Sequence, residues 1–432
     1  MVNGAGQGID RRRALALAGS AAALAATSAR ASGLDPLSGD ALFADVRAYD
    51  ALGVHRTATP GDEATSRWLV QRMRGAGLTT TLQSFAAPLF EPERCSLAFG
   101  GSRVEAFPAW PVAPTASMGL QGALAPGEGG DLAGRIAIVR IPYGPGASWA
   151  APRAGDAVQG AIKRDAAAVV AVTEGPTGEV IALNTEPGRF EWPVPVVIAG
   201  GRDGAALDAA ASAGAKGRLL LVGRSNPAAR ATNVVGRRPG DGKAIVVTTP
   251  KSGWFHCAGE RGSGIAVFLG LAAWLVRHTS ADLTFAATSG HEHGYAGGAE
   301  FLRIAPRVGE TRVWMHIGAN VALQELTISG GRVTGTGKPV VARGVSASEA
   351  LIPIAAKAFE RTDGYNKPRV LSAANAAGEL QTFHAAGYDN LIGLLGANTL
   401  FHTPLDRADV ATTPEILAPV AGGCRDLLAS FA

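Results

Sequence analysis

Charge is scarce in this chain. Of its 432 residues, 18 % are Asp, Glu, Lys or Arg, where soluble domains usually carry about a quarter. The 40 basic and 36 acidic residues leave a formal charge of +4. They form no basic stripe interleaved with aromatics, so nucleic acid is not an implied partner. Cysteine is scarcer still, with only Cys95, Cys257 and Cys424. Three thiols allow one disulfide at most in an oxidising compartment. With no C-x-x-C spacing, neither a thiolate zinc site nor a redox pair is expected. Common catalytic motifs are also missing. In His291-Glu292-His293-Gly294-Tyr295, Tyr stands where H-E-x-x-H needs its second His. There is no G-x-S-x-G elbow and no P-loop, and Gly259-x-x-Gly262-x-Gly264 is not the dinucleotide fingerprint.

Apolar residues and glycine are abundant. The former make up 47 % of the chain, which excludes disorder. The 57 glycines follow no G-X-Y period, which excludes collagen and points to many tight turns. The length suits two or three domains with ample core. Residues 1–31 read as a secretory leader. Arg11-Arg12-Arg13 precedes an apolar run from Ala14 to Thr27, and Ala29-Arg30-Ala31 is a small-x-small cleavage site. The run is too short to span a bilayer core of about 30 Å. The paired arginines resemble the twin-arginine type, with Ala14 where Phe is usual, so a periplasmic or secreted destination is expected. Removing Arg11, Arg12, Arg13, Arg30 and Asp10 leaves a nearly neutral mature chain. No later segment is long and apolar enough to suggest a membrane span.

Periodicity divides the rest. Pro60 to Gly77 reads as a helix and Leu78 to Phe85 as a strand, with Pro88 and Pro92 marking a break. Residues 93–228 hold small α/β elements: strands at Gly134–Arg140, Ala168–Val172, Val194–Ile198 and Leu219–Val222, and helices at Ala157–Ala167 and Ala205–Ala213. From 229 onward, apolar strands alternate with helices. The strands are Ala244–Thr249, Leu283–Ser289, Arg312–Ile317 and Asn390–Leu395, and the helices Gly264–His278 and Thr413–Phe431. This alternation predicts an α/β fold whose mixed, mostly parallel sheet is sandwiched by helices. In such sheets, chemistry gathers at the carboxyl ends of the strands.

Those ends carry the polar exceptions of an apolar sequence. Trp254-Phe255-His256-Cys257 and Glu260 follow the first, His291-Glu292-His293 the second, His316 lies in the third, and His402 and Asp406 follow the fourth. Carboxylate and imidazole are ligands that zinc accepts. Singly, a Glu before a helix is ordinarily a cap, a lone strand His a satisfied core residue, and Cys257 a buried inert thiol.

In order and spacing, residues 40–90 and 231–432 resemble the co-catalytic zinc exopeptidases: bacterial aminopeptidases, glutamate carboxypeptidases and glutaminyl cyclase. Residues 93–228, with Asp131-Leu-Ala-Gly-Arg-Ile-Ala-Ile-Val-Arg140 and Val194-Pro-Val-Val-Ile198, resemble the protease-associated domain inserted in that family. Where the family has His-x-Asp-Ser, binding the first metal, this chain has Thr249-Pro250-Lys251-Ser252. Asn-Asp-x-Gly-x-Gly becomes Gly259-Glu260-Arg261-Gly262-Ser263-Gly264, so Glu260 replaces the bridging Asp. The Glu-Glu pair of base and ligand becomes His291-Glu292, and the later Asp ligand near Gly318 is lost. His-Thr-Pro-x-Asp is kept as His402-Thr403-Pro404-Leu405-Asp406.

Both private ligands of the first metal are therefore missing, while the second metal's set is retained as Glu260, Glu292 and His402. The resemblance implies one zinc ion on those three, His291 as general base, Asp406 as a supporting residue, and a peptide or small amide substrate. Trp254, His256 and His316 are candidates to line the pocket, and Glu379 to hold a substrate ammonium. The activity expected from this is metal-dependent hydrolysis of an amide or peptide bond, with cyclase-like acyl transfer and peptide binding without catalysis as the alternatives.

Overall fold

The computed structural model describes residues 35–144, 146–151, 153–186 and 189–432; the leader expected at 1–31 lies outside them. Two eight-stranded sheets dominate. The first has the order Thr79–Ala86, Arg230–Arg238, Ala281–Thr288, Asp241–Pro250, Thr311–Ile317, Leu391–Gly396, Arg343–Ala347, Arg369–Val370. Its four central strands, from Ala281–Thr288 to Leu391–Gly396, are mutually parallel. Antiparallel strands flank them on both sides, which makes the sheet mixed and mostly parallel, as the sequence predicts.

The central strands are nearly continuous apolar runs because both faces are covered. On one face pack the helices Gly39–Ala51, Pro60–Gly75, Ser263–His278 and Pro414–Ala429, burying Val46, Tyr49, Phe268, Leu271, Leu417 and Leu427. Ser263–His278 is apolar around most of its circumference and is correspondingly buried. On the other face, the short helices Ala296–Phe301 and Leu380–Ala385 enclose Trp314, Phe301, Phe383 and Tyr388. The expected helices and strands of this region fall within a few residues of their observed bounds.

The second sheet is built from residues 89–226, with parallel strands Ile136–Ile141, Ala168–Thr173 and Val196–Gly200 at its heart. Here one expectation fails. Pro92, expected to mark a break before residue 93, lies inside the strand Leu89–Phe99. At Pro92 that strand pairs on one side only, opposite Gly223, and its register shifts between Pro92 and Arg94. A residue without an N–H fits such an edge position. No helix among the described residues is long and apolar enough to cross a membrane.

Candidate functional site

Four loops leave the carboxyl ends of the central strands and meet. The first follows Asp241–Pro250 and ends in a single π-helical turn, Ala258–Gly262, entered through Cys257 in a left-handed conformation (φ 49°). Such turns recur at functional sites. Asp406 fixes this one: its carboxylate accepts the backbone N–H groups of Gly259 (2.8 Å) and Glu260 (2.9 Å). A Cβ on Gly259 would come within 2.7 Å of that carboxylate, so only glycine fits there. Left-handed non-glycine residues also gather here. Of the seven among the described residues, Ala58, Cys257, Tyr295, Asn320 and His402 all adjoin the site. Backbone strain of this kind concentrates where a constellation is held in place.

Glu260 is fully buried. One of its oxygens lies 3.2 Å from His402 Nε2 and 2.7 Å from an Arg261 guanidinium nitrogen. Burial alone would raise its pKa, but Arg261 and His402 outweigh burial and hold the carboxyl down at about 2. The other ring nitrogen of His402, Nδ1, donates to the Ala182 carbonyl at 2.8 Å, since a carbonyl can only accept.

Glu292 is equally buried but otherwise engaged. Its carboxylate accepts the Thr57 N–H and hydroxyl (3.1 Å each) and the Ser252 hydroxyl (2.5 Å). His291 Nδ1 is buried without a partner. Burial, with the charge of Arg261 nearby, keeps its pKa well below the ordinary imidazole range, so the ring is neutral. The Tyr295 ring stands edge-on to it at 4.9 Å.

Arg261 and Lys251 are the residues that sequence reasoning passed over. Both are fully buried cations. Arg261 donates through Nε to the Ser252 carbonyl at 2.8 Å and rests against Glu260. Lys251 forms an ion pair with Asp62, whose carboxylate also accepts the Ala58 N–H and the Ser289 hydroxyl. The available signal was that each charged residue stands next to a strand end or a glycine turn in an otherwise apolar sequence. The second sheet's unit also contributes. Its segment around residues 182–185 lies across the loops: Ala182 exchanges hydrogen bonds with His402, and the Thr185 N–H donates to the Glu292 carbonyl.

Trp254 is not a pocket wall. It is 1 % exposed, donates from Nε1 to Asn184 (2.8 Å) and packs on Trp110 at 4.9 Å, which ties the two sheet units together. His256 turns away to Asp50, 2.9 Å from its carboxylate. His316 is buried, and burial with Arg261 holds its pKa down to about 3. The Thr248 hydroxyl accepts from Trp314 Nε1 at 2.9 Å and is hydrogen-bonded to His316 Nδ1 at 3.0 Å. His316 borders a cavity of about 30 Å³ together with Ser346, Arg369 and Asn375. Glu379 accepts the Thr288 hydroxyl at 2.7 Å, its other oxygen has no partner, and burial raises its pKa to about 7. A carboxyl held near half-protonation is a poor ammonium holder. All three cysteines are buried free thiols.

Zinc can be tested against these donors. Glu260 and His402 have the character of ligands: buried oxygens and a ring nitrogen without hydrogen-bond partners, one supported through Asp406 and the other by a carbonyl. A catalytic zinc needs three protein ligands. The third, Glu292, is tied to Thr57 and Ser252, and a guanidinium already lies on Glu260. No group of three His, Cys, Asp or Glu that could hold a metal occurs among the described residues. The arrangement as it stands does not fit a catalytic zinc ion.

Known structures share the fold. The zinc aminopeptidase BSAP from Bacillus subtilis superposes with a TM-score of 0.73 at 17 % identity, covering 92 % of this chain and 96 % of that one. The aminopeptidase from Aneurinibacillus sp. strain AM-1 gives 0.61 at 17 % identity, covering 90 % and 93 %. The M28 peptidase precursor from Shewanella amazonensis gives 0.70 at 13 % identity, covering 90 % and 95 %. No family model matches the chain, and no curated protein matches it in sequence. The fold is thus that of the zinc exopeptidases, as the sequence resemblance implied.

Proposed function

We propose that this chain is an exported protein that recognises peptides or small amides on a zinc-exopeptidase scaffold, and does so without a hydrolytic metal centre. One observation carries this reading: Arg261 occupies the carboxylate that a metal would need, while Glu292 is bound to Thr57 and Ser252. The substrate class comes from the names of the fold neighbours, which support a peptide hydrolase at the level of class. Export rests on the twin-arginine-like leader at 1–31, and the unit on the second sheet is read as protease-associated-like. Calorimetric titration with a peptide library, beside a hydrolysis assay of the same peptides, tests the reading. Binding without cleavage is expected; chelator-sensitive cleavage overturns it.

A second reading is hydrolysis with a single zinc. It has in its favour the buried, unpartnered His402 Nε2 facing Glu260. Glu260, His402 and a reoriented Glu292 would hold the ion, which would polarise a carbonyl and activate water. His291, neutral and with a free Nδ1, would accept a proton.

A further inference from the structure

We infer that Arg261 takes the structural place of a metal ion, its guanidinium supplying as part of the chain the positive charge on which Glu260 and His402 converge. This deepens the metal-free reading above and rests on it. Three observations converge. Arg261 is among the largest fully buried side chains in the protein, although it carries a permanent charge. It is anchored by its Nε on the Ser252 carbonyl, which aims the rest of the fork at Glu260. Finally, His402, with its Nδ1 bonded to the Ala182 carbonyl, brings its Nε2 to 3.2 Å from a Glu260 oxygen. Arg261 lies 2.7 Å from the same oxygen.

Lys251 repeats the substitution one step away. It stands where the resembling family has the acidic partner of a lost ligand, and it neutralises Asp62 directly. Two buried cations thus pair with the buried carboxylates Asp62 and Glu260, where the resembling family uses two metals.

The test needs no substrate. The full chain is dialysed against zinc and then against zinc-free buffer, and its metal content and melting temperature are measured beside those of Arg261→Ala and Arg261→Lys. Wild type should retain no stoichiometric zinc and melt identically with chelator or zinc. Arg261→Ala should melt lower, and added zinc should bind it and restore part of the loss. Arg261→Lys should stay zinc-free and melt between the two. One zinc per wild-type chain overturns the inference, as does an Arg261→Ala protein that melts like wild type. If Arg261→Ala does not fold, the wild-type metal content and the Arg261→Lys melt decide. A zinc-free protein that binds no peptide would overturn the proposed function alone.

Discussion

Nε2 of His402 stands 3.2 Å from Oε1 of Glu260, while its Nδ1 donates to the Ala182 carbonyl on the other sheet unit. A carboxylate of the π-turn, an imidazole of the last catalytic-side loop and a strand-like segment of the second unit are thereby joined.

The Glu260–Arg261 pair is fully buried. Removing one partner strands the other charge in the interior, at a cost of about 3–5 kcal/mol. Glu260→Gln should therefore destabilise strongly in urea unfolding. The double variant Glu260→Gln/Arg261→Met should lose less than the two single losses combined, because no charge is then left unpaired. Additive losses would show that the pair is not coupled.

Lys251 and Asp62 form a second such pair. Lys251→Met should cost about 3–5 kcal/mol, and Asp62→Asn in the same chain should recover part of it. Thermal melts of the two variants check this; no recovery would mean that Lys251 stabilises through packing alone.

Glu379 and Asp406 are both raised by burial to about 7. Their ordinary values are 4.5 and 3.8, so between about pH 4 and 7 the folded chain holds protons that the unfolded chain has released. Their contribution is full below the unfolded values and is lost as pH rises through 7. Glu260, held at about 2, works in the opposite sense: its contribution is present above 4.5 and is lost as pH falls through 2. Glu379→Gln should accordingly gain on wild type at pH 8, by about 3 kcal/mol at most, relative to their difference at pH 4. Urea midpoints at the two pH values measure this, and parallel curves would refute it.

Trp254→Ala empties a buried indole site between the two sheet units. Large-to-small changes of this kind cost about 3–5 kcal/mol. Limited proteolysis should then cut the segment near residues 182–185 faster than in wild type. Unchanged cleavage would show that Trp254 does not hold that segment in place.

The sequence was most readable where hydrophobic periodicity is strong. The helix expected at Gly264–His278 is Ser263–His278, and the strand expected at Arg312–Ile317 is Thr311–Ile317. The helix Gly39–Ala51 and the strand Leu89–Phe99 were missed. The former has a weakly patterned polar start, and in the latter an edge position accommodates Pro92. At the site, Glu260, His402 and Asp406 do come together. Arg261 and Lys251 were illegible because a charged loop residue ordinarily faces water; only the packing of Tyr49, Ser252 and the neighbouring loops encloses them. The role of residues 182–185 was hidden for a different reason. It depends on how one unit lies against another, for which local sequence carries no period.

The segment near residues 182–185 also bears on affinity. It is hydrogen-bonded to both His402 and Glu292, so a ligand that enters between it and the loops has to part those bonds first. The observed dissociation constant is then the intrinsic one divided by the fraction of molecules standing open. Each 1.4 kcal/mol of closure weakens binding about tenfold. Substitutions that loosen the junction, Trp254→Ala among them, should thus lower the melting temperature and tighten ligand binding together.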